Sequence, residues 1–336
     1  MTTKAYAVAN GFLGLGLEAV RGVAAASPLF IPTKEPKNSP MVTWLKDEGL
    51  RGSPVTIYDQ VPGVRHDEFE VKGDVQLDTF ALYLIGVLGA ADAISGGGPY
   101  AHLQGLLNDY TVGSQPPSFT VSDFNGAMLI EATAAQLESL ELTFAIDAAL
   151  TYAAKFISNI ATAGGGPPAA TFGVEPILPN WVIAATINAV DVHTVEEFSC
   201  KIDRAVESIH TGGNQGPYSN FAGPCAVSGK GTFVLNDLDD PFAIGGSEWS
   251  LDAPAALARV QLPISLLWTD PITSHSLAVQ MSNVQFSNPV IERGKKYVEV
   301  TVDYEANANT TDATDGGYSP IQTTVTNAVA AAYVGS

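Results

Sequence analysis

RHDEFEVKGDVQLDTFALYLIGVLG, residues 65–89, carries two hydrophobic periods in succession. Phe69, Val71, Val75 and Leu77 take odd positions, while Glu68, Glu70, Lys72, Asp74 and Gln76 take the even ones. Successive side chains of a strand point to opposite faces, so this segment predicts a strand with one buried face and one charged, wet face. At Asp78 the period changes. Phe80, Leu84, Val87 and Leu88 fall at the i, i+4, i+7 and i+8 spacing of a helix buried along one side. Asp78 fits the N-cap and Gly89 the C-terminal stop. A charged strand feeding an apolar helix is one compact unit, and the remaining question is whether the chain holds a second.

Upstream, residues 1–64 show few clean periods. Pro28, Pro32, Pro36 and Pro40 exclude a continuous helix or a central strand, so this region reads as an extended arm and a long loop. VTIY at 55–58 reads as a strand entering the key unit. Downstream, GGGP at 96–99 and QPPS at 115–118 are turns. Residues 119–124 form a strand. Leu140, Leu142, Phe144, Ile146, Leu150, Tyr152 and Phe156 then alternate with polar residues over 139–156, as in a hairpin or two successive strands. AGGGPPAA at 163–170 is a linker. After it Phe198, Cys200 and Ile202 alternate with charged and small polar residues. A loop at 210–224 leads to a strand over 225–235, with Val227 and Phe233 inward. Val298, Val300, Val302 and Tyr304 alternate near the end.

A shift of 156 residues places Val71 on Val227 and Gly73 on Gly229, and LTFAID (142–147) on VEVTVD (298–303). Two strand pairs agreeing on one offset indicate a diverged tandem duplication. The second copy lacks the apolar helix and has only a short segment at 237–244 in its place.

Composition narrows the function classes. The 336 residues suit two domains, and Lys+Arg 16 against Asp+Glu 35 gives a net charge of −19. Between Lys72 and Lys155 there is no Lys or Arg but nine carboxylates, so nothing clusters to grip phosphates. The N-terminus has no apolar leader region, and the longest apolar stretches are too short to span a bilayer. Cys200 and Cys225 sit at apolar strand positions and read as buried thiols, with a disulfide or metal pair as the alternative.

No catalytic motif survives inspection. SGKGT at 228–232 echoes a phosphate loop, but its spacing from Gly223 is one residue too long, and a turn between strands accounts for it. GGSEW at 245–249 lacks the second Gly of a nucleophile elbow. His66 and Glu68 share a strand face without a third metal ligand. NDLDD at 236–240 lacks the Gly and distal Glu of a calcium loop. His66, His102, His193, His210 and His275 are scattered, with no carboxylate pattern around them. No enzyme and no cofactor is expected. What stands out is the carboxylates along the polar parity of good strands: Glu68, Glu70, Asp74, Glu141, Asp147, Asp203, Glu299 and Asp303, with Glu305 beyond them. They serve either ordinary solubility or a luminal surface that must not adhere to a polyanion.

IP at 31–32, LKDEGLRGS at 45–53, YDQ at 58–60, DEFEVKGD at 67–74, PPS at 116–118, DFNG at 123–126, and FAGPCAVSGK at 221–230 running into TFVL at 232–235 occur in that order. With the helix at 78–89, they resemble the phage tail tube proteins of siphovirus type, as found in phages of actinobacteria. The resemblance covers residues 10–270, and its motifs have no catalytic meaning.

The resemblance implies a mainly β chain of two tandem β-sandwich, barrel-forming tube domains with a short helix, plus extended arms and a long loop. The expected divisions are 1–64 as arm, inter-ring loop and first strand, 65–162 as the first tube domain, 163–180 as linker, 181–320 as the second, and 321–336 as a C-terminal arm. It implies a virion protein assembled in the host bacterial cytoplasm. Its partners would be itself, in trimeric rings of pseudo-six-fold symmetry or in hexamers, stacked into a tube with a tape measure protein and a tail terminator. Double-stranded DNA would pass through an anionic lumen without specific binding, and no membrane is involved. A non-catalytic β-sandwich binding or decoration module, of baseplate or carbohydrate-binding type, is the alternative. Such a module would cluster exposed aromatics, whereas Trp44, Trp181, Trp249 and Trp268 are isolated in sequence.

Overall fold

Asp59–Asp74 forms one strand, with Phe69 and Val71 in the core and Glu70, Lys72 and Asp74 on the opposite face. The computed structural model describes residues 8–25, 28–164, 166, 169–173, 175–234 and 261–333. VTIY is not part of that strand, since 55–58 is loop and the strand begins at Asp59. The helix Phe80–Leu88 follows, and all nine of its residues are buried. Gly89 ends it in the left-handed region at φ 89°, its N–H donating to the Ile85 carbonyl. The N-cap lies one residue later than expected. Thr79 occupies it without a side-chain cap bond, while burial and the charge of Glu175 raise the Asp78 carboxyl above its usual range.

The proline-rich start is more ordered than its sequence suggests. Phe12–Leu17 and Leu29–Ile31 pair with each other, and Lys34–Asp47 pairs along Asp59–Asp74. Lys34–Asp47 is an edge strand exposed on both faces, so it shows no alternation and tolerates Pro36 and Pro40.

A belt of antiparallel strands runs through the molecule in the order Lys34–Asp47, Asp59–Asp74, Thr151–Ser158, Leu129–Ala145, Val195–Asp203, Ala226–Val234, Glu299–Ala306 and Ser276–Glu292. The fold is mainly β, and one contiguous apolar cluster, from Leu13 and Phe80 to Trp268 and Val325, backs the belt. Leu129–Ala145 and Ser276–Glu292 are each 17 residues long and change partners along their length. The first begins on Phe119–Phe124, itself paired to Phe12–Leu17, with Thr162–Ala163 on its other side. The second begins on Gln261–Thr269, itself paired to Ile183–Ile187, with Gln322–Asn327 on its other side. Leu29–Ile31 and Val190–Val192 complete the match, so the pairing scheme of the first half recurs in the second.

The register refines the repeat. Gly73 pairs with Tyr152 and Val71 with Ala154; Gly229 pairs with Tyr304 and Val227 with Ala306. In both halves a tyrosine lies over a cross-strand glycine, and an added Cβ would meet its phenol end at 2.9 Å (Gly73) or 2.5 Å (Gly229). The offset is 156 between the glycines but 152 between the tyrosines. It falls to 144 along the long strands, where Leu142 and Phe286 pair with those tyrosines. The match of 142–147 to 298–303 is therefore not a structural equivalence, because loops of different length separate the strands.

Arg204 ties the halves together. It is buried, and its guanidinium donates to the carbonyls of Val87 at the helix C-terminus (2.9 Å), Gly223 (3.2 Å) and Ser114 (3.4 Å). The C-terminal segment is likewise engaged within its own chain. Gln322–Asn327 lies between Ser276–Glu292 and Tyr100–Gly105, Asn327 donates to the Leu77 carbonyl at 2.7 Å, and the Tyr333 hydroxyl bonds the Asp78 carbonyl.

Candidate functional site

The belt has one face packed on the core and one charged face, and that second face gathers most of the carboxylates singled out in the sequence. Glu68, Glu70 and Asp74 lie on Asp59–Asp74, Glu141 on Leu129–Ala145, Asp203 on Val195–Asp203 and Asp303 on Glu299–Ala306, all half-buried. Two do not belong with them. Asp147 stands in the exposed turn beyond Ala145. Glu299 is buried and ion-paired to Lys295 at 2.5 Å, four residues before it.

Lysines fill the spaces between these carboxylates. Glu70 faces Lys37 on one side and Lys155 on the other; Glu141 faces Lys201, and Asp303 faces Lys230. Lys34 pairs with Asp74 at 2.5 Å, and Lys155 bridges Glu68 (3.2 Å) and Glu138 (2.8 Å) across three strands. Burial works against the Lys155 ammonium, but Glu138 and Glu68 together hold it above its ordinary range. Lys201 pairs with Asp203 at 2.8 Å and is likewise raised, chiefly by that contact. The face is thus a chequerboard of opposite charges. Apart from Lys201 and Asp203, which share a strand, the partners stand on different strands, so their spacing was not legible.

Beyond Asp67 the hairpin of Lys34–Asp47 and Asp59–Asp74 leaves the belt as a two-stranded ribbon. It exposes Met41, Trp44, Leu45, Leu50, Val55 and Val61. A two-stranded ribbon is marginal alone in water, and apolar side chains concentrated on one mark a contact surface. Its base is pinned where Arg65 N–H bonds Gln215 and Gln215 bonds the Gly63 carbonyl.

The other candidates resolve individually. SGKGT lies inside the strand Ala226–Val234, so it is neither phosphate loop nor turn. Among the described residues no group of three or more His, Cys, Asp or Glu is placed to hold a metal. Cys200 and Cys225 are free thiols, and burial pushes them up to about 12 and about 11. Two histidines do have carboxylate partners that sequence spacing concealed. Fully buried His102 meets Asp92 at 2.7 Å and the Val329 carbonyl at 2.9 Å, and His275 meets Glu175 at 2.9 Å. The first pair clasps the C-terminal segment, since Asp92 also accepts the Tyr333 N–H. Trp44 and Trp181 are exposed and Trp268 is buried. GGSEW with Trp249, and NDLDD, lie outside the described residues. No described helix is long and apolar enough to cross a membrane.

The family described as "Phage tail tube protein" matches residues 8–306, most of the chain. No curated protein matches it.

Proposed function

Because the chain belongs to the phage tail tube protein family, a structural component of the virion tail, we propose that its copies close into rings that stack into a hollow tube conducting the genome. The observation that carries this reading is the belt: four strands from each half, buried behind, charged in front, and contiguous across the half-to-half junction. Two tube units, 65–162 and 181–320, joined by the linker at 163–180, then give three chains per ring with pseudo-six-fold symmetry. Sheets joined around a ring leave no exposed edge.

The charged face is the bore. Glu68, Glu70, Asp74, Glu141, Asp203 and Asp303 line it, with Asp147 and Glu299 at its rim. Lys34, Lys37, Lys155 and Lys201 among them are already held by carboxylates, so DNA phosphates find few free ammonium groups to displace counterions, and duplex slides without a specific hold. The apolar ribbon at 41–64 packs on the next ring along the axis, which buries side chains that a lone subunit leaves wet. Since residues 321–333 are occupied within their own chain, axial contact falls to this ribbon. Assembly takes place in the host cytoplasm, with a tape measure protein inside the growing tube and a terminator at its end.

Electron microscopy of the purified chain at rising concentration tests this. Hollow tubes with a central channel are expected. Single globules at every concentration would refute it.

A further inference from the structure

The end of the chain is held by a buried ion pair rather than by a ladder. Gln322–Asn327 is the last strand, and residues 328–333 belong to none. Fully buried His102, on Tyr100–Gly105, meets the Val329 carbonyl with Nε2 at 2.9 Å and the Asp92 carboxylate with Nδ1 at 2.7 Å. Asp92 also accepts the Tyr333 N–H at 3.1 Å and the Gln104 amide at 3.3 Å. The Tyr333 hydroxyl receives the Asn327 amide at 3.0 Å and donates to the Asp78 carbonyl, beside the entrance of the helix Phe80–Leu88.

This geometry fixes a proton count. A carbonyl and a carboxylate have no hydrogen to give, so each nitrogen of the His102 ring must bring one. Neutral imidazole has a single N–H, and its second contact would set a lone pair against an oxygen. Placing the extra proton on Asp92 instead of the ring leaves the count unchanged. The closed segment therefore holds one proton more than a neutral imidazole and a carboxylate do.

Nothing nearby can stand in for that proton. The chain has no Lys or Arg between Lys72 and Lys155 and none after Lys296. The helix, Ala93–Ser95, Tyr100–Gly105, Gln322–Asn327 and the terminal segment thus bring no such cation to Asp92, whose side chain is wholly buried. A carboxylate so placed is costly without a charged partner. Tyr333 stands with its ring centre 5.0 Å from that of His102, and burial raises its hydroxyl above the usual range, with Asp78, Asp92 and Glu175 adding to the rise. Tyr83 on the helix is engaged by Tyr152. The groups around the pair are neutral or acidic, which favours the extra proton.

We infer that residues 328–333 form a proton-gated strap, closed by His102 and Asp92 while the pair holds its extra proton and lifting when the pair loses it. The closed form binds the proton and the open form does not. Acid therefore favours closure, and each pH unit above the transition lowers the closed-to-open ratio about tenfold. Gln322–Asn327 stays laddered on both sides, so opening is confined to the residues beyond it. The gate lies within one chain and stands apart from the ring reading.

A nitroxide on Ala331→Cys, an exposed position of the strap, reports its mobility by electron paramagnetic resonance in the full chain. The chain without that substitution, labelled in the same way, controls for Cys200 and Cys225. The expected result is an immobilised label at about pH 5 and a mobile one at about pH 9, either side of ordinary imidazole titration. With His102→Gln added, one spectrum is expected at both. A label indifferent to pH in the otherwise native chain, or a response that survives His102→Gln, would overturn the gate. If circular dichroism shows that His102→Gln does not fold, Asp92→Asn carries the test. An amide can donate to the neutral ring, so the strap should stay closed at about pH 9, and native-like opening there would overturn the gate as well.

Discussion

The two glycines beneath tyrosines occupy the same place in the repeat, yet they should respond unequally to one added methyl. At Gly73 a Cβ meets only the end of the Tyr152 ring, at 2.9–3.0 Å, and a ring edge can tilt. Such crowding costs about 1–2 kcal/mol, offset by about 0.4–1 kcal/mol from the smaller unfolded-state entropy of alanine. Gly73→Ala should therefore destabilise by about 1 kcal/mol. At Gly229 the Cβ would lie 1.9 Å from the Ser199 carbonyl oxygen as well as 2.5 Å from the Tyr304 hydroxyl. Ser199 accepts the Tyr304 hydroxyl at 2.8 Å, so relief means moving a backbone and losing that bond. Overpacking of about 3 kcal/mol plus a lost hydrogen bond of about 1 kcal/mol gives about 4 kcal/mol. Urea denaturation of unassembled subunits, followed by fluorescence, should place the Gly229→Ala midpoint well below that of Gly73→Ala. Equal midpoints, or the reverse order, would refute the claim that the backbone contact rather than the tyrosine sets the cost.

Two other outcomes follow from the charges. Burial alone raises Asp123 to about 6, so its contribution to stability is fully present below about pH 4 and is lost as pH rises through 6. Asp123→Asn should equal the parent at pH 4 and exceed it at pH 8; the shift sets a ceiling of about 3 kcal/mol, and partial water access reduces it to about 1–2 kcal/mol. Urea midpoints at both pH values check the sign, and a gain at pH 4 would contradict it. Neutralising Asp74 and Asp203 to Asn frees Lys34 and Lys201 from their ion pairs, so variant tubes should retain duplex DNA in low salt where the parent does not. Sedimentation of labelled duplex with tubes measures this, and unchanged retention would remove these residues from the bore.

What the sequence disclosed depended on whether burial was one-sided. Asp59–Asp74 and Val195–Asp203 alternate because each has a packed face and a wet face, so both were readable. Lys34–Asp47 was not, because a ribbon strand exposed on both sides has no face to pattern. Phe12–Leu17 was hidden by the opposite circumstance, being buried almost throughout with Gly14 and Gly16 breaking its hydrophobic run. Glu299 has the polar parity of a wet position, yet it is buried with Lys295 as its ion partner, which no period encodes. The repeat was visible at Gly73 and Gly229, but loop lengths change the offset along the chain, so one shift could align only one strand correctly.

The arrangement of the repeat bears on why the halves are fused. In a ring of separate units every seam forms between molecules, and every edge must stay guarded until it closes. In the proposed ring, joining two units would make alternate seams intramolecular, where a short linker supplies an effective concentration of about millimolar and no guard is required. The distribution of kinks follows that logic: Leu129–Ala145 meets Val195–Asp203 as regular ladder, while Glu35–Pro36 and Asn288–Pro289 mark the edges that still face solvent. Among the described residues a left-handed residue other than glycine followed by proline occurs only at this outer pair, which is where a guard against premature edge pairing belongs.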